Sequence, residues 1–113
     1  NETLRASLVD YLHMWQYQTV EAANGQEALR QLAQRGQDVS LILSDAVMPM
    51  MGGIDLLRTI QQQGSQVPMI LLTGHPLDED EVNTVRSLGL HAWLPKPPDI
   101  SKLASLIAEA LIT

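Results

Sequence analysis

Apolar residues along the chain fall into two alternating patterns, stripes at helical spacing and short unbroken runs. Leu4, Leu8, Leu12 and Trp15 form one stripe, which predicts an amphipathic helix from residue 3 to about 14. Ala28, Leu29, Leu32 and Ala33 form a second, opened by the turn Asn24-Gly25 and closed by Gly36 as a C-terminal stop. Ile54, Leu57 and Ile60 mark a third helix ending near Gly64. Val82, Val85 and Leu88 mark a fourth ending at Gly89, and Leu103, Ile107, Ala110 and Leu111 a fifth. Between the stripes lie strand-length segments: Gln18 to Ala22, Val39 to Asp45, Val67 to Leu72, and His91 to Leu94. Val39 to Asp45 lacks polar alternation, so it is expected to be a central strand buried on both faces.

Strands alternating with helices predict an α/β domain, a parallel sheet covered on both faces, and right-handed crossovers then restrict it to a doubly wound fold. In such sheets ligands bind beyond the carboxyl ends of the strands. Three predicted strands end in residues with chemistry. Asp45 closes the first, Thr73-Gly74 follows the second, and Pro95-Lys96-Pro97 follows the third. On neighbouring parallel strands these side chains would converge as a carboxylate, a hydroxyl and a mobile cation. That set suits phosphoryl transfer: the carboxylate is the nucleophile, and the hydroxyl and ammonium stabilise the oxygens of the transferred group.

Asp45, Met48-Pro49, Gly53, Thr73-Gly74 and Lys96-Pro97, in this order and spacing, resemble the receiver domain of two-component response regulators. The resemblance implies a flavodoxin-like five-stranded sheet in the order 2-1-3-4-5. Asp45 would be the phosphoacceptor, with Thr73 and Lys96 holding the phosphoryl group. Magnesium or manganese would be bound by Asp45, by the backbone carbonyl of Val47, and by two adjacent acids at the end of the first strand. Asn1 to Arg5 look like the start of the helix that follows that strand. The chain is therefore expected to be one receiver domain over residues 1–113, N-terminally incomplete, with its first strand and the acidic pair upstream of Asn1. The implied partner is a histidine kinase or a phosphotransfer domain. A homodimer through the fourth helix, fifth strand and fifth helix is also compatible with the resemblance. The phrase LILSDAVMPMMGG leans toward receivers attached to hybrid sensor kinases.

Several residues carry two readings. Trp93 stands where the family often has a switching aromatic, against plain packing. Val47 and His75 occupy positions that in the family tune water attack on the phosphoryl group; Val47 has no polar side chain, and His75 reads as a loop histidine rather than a metal ligand. Asp78-Glu79-Asp80-Glu81 reads as the acidic start of a helix rather than a cation site. Gly53 suggests positive φ or close approach to the site, and Asp55 a solvated helix face. Pro97 is a candidate cis proline.

Composition narrows the classes further. At 113 residues and 45% hydrophobic content the chain suits one domain. Thirteen acids against seven bases, a formal charge of -6, argue against nucleic-acid binding by this segment. Without cysteine there is no disulfide or thiol chemistry, and the three histidines lack close metal-ligand spacing. Apolar runs are strand-sized, so no membrane span is predicted and a cytoplasmic domain is expected. The main rival is a phosphorylation-independent interaction module of the same fold. A haloacid dehalogenase-type phosphatase would want an acid two residues after its nucleophile, where Val47 stands, and no Ser/Thr-rich loop supports flavin binding.

Overall fold

The amphipathic stripes become five helices. The structure, a computed structural model, describes residues 2–47 and 51–112. Helix α1 (Glu2–Met14) turns Leu8 into the core, with Leu4, Leu12 and Trp15 packed against it. Helix α2 (Gly25–Arg35) is capped by Asn24, whose side chain accepts the Glu27 N–H. Its apolar side is Ala28, Leu29 and Leu32; Ala33, expected on that face, is exposed. Gly36 does end the helix, but at φ -57 rather than in a left-handed stop, and the chain runs on through a 3-10 turn at Gly36–Asp38.

Strand β1 (Ile42–Asp45) pairs with β2 (Met69–Thr73), and β2 with β3 (Ala92–Pro95), all parallel and in the order β1-β2-β3. Helices α3 (Gly53–Gln62), α4 (Glu79–Ser87) and α5 (Ile100–Ile112) complete the alternation. Alternation along β2 divides the core. Ile70 and Leu72 face Leu8, Leu103 and Ile107 on α1 and α5, whereas Met69 and Leu71 face Leu56, Leu57, Ile60 and Val85 on α3 and α4. Gly64 and Gly89 end α3 and α4 at φ +79 and +78, a conformation that glycine reaches without a Cβ penalty. Asp78 and Glu81 form a reciprocal capping box, so the acidic run does open α4.

The parallel α/β sheet is of the expected kind, but of the four strands expected within these residues three form, and Gln18 to Ala22 is not a strand among the described residues. That segment instead follows α1, held by the Arg5 guanidinium, which donates to the Ala22 carbonyl at 3.2 Å and pairs with Glu21 at 3.4 Å. A groove of about 1060 Å³ separates it from β1, lined by Leu4, Leu8, Tyr17, Val20, Leu41 and Leu43 among others. A strand is defined by pairing, and among the described residues Gln18 to Ala22 pairs with no strand of the sheet. For the same reason the Val39 to Asp45 run is only half buried and forms the sheet edge; β2 is the strand buried on both faces.

Candidate phosphoryl-transfer site

The sheet register gathers the strand ends. Asp45 is level with Leu72, and Thr73 with Pro95. One step on, the Ala46 N–H donates to the Leu72 carbonyl and the Lys96 N–H to the Thr73 carbonyl, each at 2.8 Å, so the ladder continues to the residues that carry the chemistry. The Lys96 ammonium pairs with the Asp45 carboxylate. Both side chains are mostly shielded, at 26% and 20% exposure, which keeps the attraction from being screened as it would be in open solvent. The Lys96-Pro97 peptide is cis.

Thr73 is buried on the intervening strand, and its hydroxyl donates to the Leu94 carbonyl at 3.4 Å. Of the three expected site residues, the carboxylate and the cation are thus in contact, while the hydroxyl is engaged with the neighbouring strand. Trp93 is half buried and packs on the α3 and α4 side of the core. Val47 is exposed. His75 is exposed in the loop after Thr73, with Nε2 3.8 Å from the Glu81 carboxylate. Asp55 is solvated and pairs with Arg58 at 3.2 Å. Met48 and Pro49 lie outside the described residues.

Glycines shape the loop beside Asp45 through close approach rather than unusual φ. A Cβ on Gly53 would lie 2.3 Å from the Asp45 carbonyl oxygen and 2.5 Å from Leu71 Cδ1, and the Gly53 N–H donates to the Ala46 carbonyl at 3.0 Å. Gly52 approaches the same carbonyl, where a Cβ would stand at 2.8 Å. Helix α3 therefore begins against the exit of β1. Sequence reading missed two contributors. Ser44 is buried and donates to the Asp45 carbonyl at 2.9 Å, and Gly25 abuts Met51. A buried serine in an apolar run was the available signal for the first.

Oxygen donors at this edge fit a hard divalent cation: the Asp45 carboxylate and the adjacent Val47 carbonyl are the ligand type that magnesium and manganese take. Among the described residues no group of three His, Cys, Asp or Glu could hold a metal, so these two donors would form part of a shell.

Comparison with known proteins agrees with this architecture. A family model for the response regulator receiver domain matches residues 1–108, and the chain belongs to that family. The signal receiver domain of an HD domain-containing protein from Pseudomonas fluorescens Pf-5 superposes with a TM-score of 0.89 at 33% identity, covering 99% of this chain and 88% of that one. The receiver domain of a signal transduction histidine kinase from Syntrophus aciditrophicus gives 0.84 at 32%, covering 99% and 84%. In sequence, the DNA-binding transcriptional regulator NtrC of Escherichia coli strain K12 is 39% identical over 88 residues, 78% of this chain but 18% of that protein. The sensor kinase CckA of Brucella abortus strain 2308 is 34% identical over 95 residues, 84% of this chain and 10% of that protein. The chain thus spans less than a fifth of either of these two relatives. No described helix is long and apolar enough to cross a membrane.

Proposed function

We propose that this domain is a phosphoacceptor switch in which Asp45 takes a phosphoryl group from a partner's phosphohistidine. The observation that carries the reading is the contact between the Lys96 ammonium and the Asp45 carboxylate at the carboxyl edge of the sheet. An Asp45 oxygen attacks phosphorus, the P–N bond to the donor imidazole breaks, and that nitrogen keeps the electron pair and is reprotonated. Lys96 already stands beside the acceptor and would follow the negative charge onto the phosphoryl oxygens. Thr73 would exchange the Leu94 carbonyl for one of those oxygens. That exchange links the site to β3, Trp93 and α4, where a shifted equilibrium would change partner binding.

Asp45 and the Val47 carbonyl would hold a magnesium or manganese ion. Bound there, the ion supplies charge neutralisation between the carboxylate and the incoming phosphoryl oxygens. Further ligands would come from an acidic pair on another strand of the sheet. The groove between β1 and the Gln18 to Ala22 segment supports that placement, because an inserted parallel strand would pair on both sides. A histidine kinase or phosphotransfer domain would be the donor, and a homodimer through α4, β3 and α5 is one form the output could take. A cytoplasmic location follows from this signalling role.

Phosphotransfer tests the proposal. A radiolabelled, autophosphorylated histidine kinase is mixed with the whole native protein carrying this chain, with magnesium or with a chelator. Label should pass to the protein with magnesium only. Absence of transfer from any kinase and from small phosphodonors would favour the interaction module instead.

A further inference from the structure

Gly25 opens α2 and is buried, far in sequence from the loop that follows Asp45. Its N–H donates to the Met51 carbonyl at 3.2 Å, and a Cβ added to it would fall 2.6 Å from Met51 Cγ, 2.7 Å from Cβ and 2.8 Å from Sδ. Real Cβ atoms do not approach other atoms that closely, so the Met51 side chain occupies the space that any other residue at position 25 would fill. Met51 is followed directly by Gly52 and Gly53, whose backbones lie against the Ala46 and Asp45 carbonyls. The short segment from Met51 to Gly53 is therefore wedged between the N-terminus of α2 on one side and the exit of β1 on the other.

From this we infer that Gly25 is a positioning residue for the phosphoacceptor: its lack of a side chain seats Met51, and through the Gly52 and Gly53 that follow, Met51 holds the Asp45 and Ala46 backbone in place. The inference rests on Asp45 being the acceptor. Gly25 touches neither the carboxylate nor the incoming group, so its effect has to pass through Met51. It also does not rest on positive φ, since Gly25 lies within α2, where any L-residue could take the backbone conformation. What a substitution changes there is space.

Size complementation tests it. Wild type, Gly25→Ala, Met51→Ala and the double variant of the native protein are phosphorylated with acetyl phosphate and magnesium, and amide exchange is followed in the unlabelled state. Gly25→Ala should slow phosphorylation on the order of tenfold through misplacement of the acceptor. It should also raise exchange at the Gly53 amide, whose partner is the Ala46 carbonyl, while leaving the amides of α5 as protected as in wild type. Adding Met51→Ala should bring rate and exchange back to those of Met51→Ala alone, a coupling that independent effects would not show. Additive effects in the double variant, or an unchanged Gly25→Ala, would overturn the inference. If wild type takes no phosphoryl group, the phosphoacceptor reading fails, while the exchange data still decide the packing claim.

Discussion

The Lys96 ammonium reaches the Asp45 carboxylate across the whole width of β2, since the two residues end strands that are not neighbours. Two strand spacings are about 10 Å, a gap that the long lysine stem closes only together with the Asp45 side chain reaching toward it. The cation is thus a function of side-chain length as well as charge. Lys96→Met should preserve the fold and slow phosphorylation of Asp45 by at least about tenfold, the scale of removing one stabilising group from developing charge. Initial rates with acetyl phosphate measure it, and a rate equal to wild type would remove Lys96 from the mechanism.

Thr73 offers a cleaner separation of packing from chemistry. Thr73→Val keeps volume but leaves the Leu94 carbonyl without its hydroxyl donor, at a cost of about 1 kcal/mol in urea unfolding. Wild type should change its Trp93 fluorescence on phosphorylation, whereas the variant should still accept a phosphoryl group at Asp45 without that change. Thr73→Ser should restore that change.

At the start of α4, Asp78→Ala breaks the capping box with Glu81 and should cost about 1 kcal/mol by the same unfolding measurement. It should leave the phosphorylation rate within about twofold, because these carboxylates serve the helix terminus and not the site.

Gly53→Ala should be the most damaging of the small changes. The added methyl meets a backbone carbonyl and a buried leucine, so overpacking of about 1–3 kcal/mol is expected together with displacement of Asp45. Thermal unfolding and labelling of the same sample should both report it.

Much of this was readable from sequence because local rules governed it. The helices followed their apolar stripes, Asn24 and Asp78 capped where short polar side chains precede a helix, and Gly64 and Gly89 stopped α3 and α4. Asp45, Thr73 and Lys96 were legible as strand ends. Gln18 to Ala22 was misread because strand character belongs to a pair of segments, and its propensity says nothing about what lies beside it. Gly36 was misread in conformation because a helix can end by tightening into a 3-10 turn. The seating of Met51 on Gly25 is a contact between distant segments, which no local pattern encodes.

Lifetime of the product follows from what surrounds Asp45. Val47 is 72% exposed and apolar, and His75 lies toward Glu81, so neither is set to orient a water for in-line attack. Slow dephosphorylation is expected, and Val47→Asn should accelerate it about tenfold by adding one positioning group. Loss of label from purified protein gives both rates, and equal rates would refute the role of position 47.

Intact-mass measurement after acetyl phosphate and magnesium, on the native protein beside its Asp45→Asn and Asp55→Asn variants, puts the account at most direct risk. Wild type and Asp55→Asn should each gain one phosphoryl group, and Asp45→Asn none. Equal labelling of Asp45→Asn, or no labelling of wild type, would contradict the assignment of Asp45 as the acceptor.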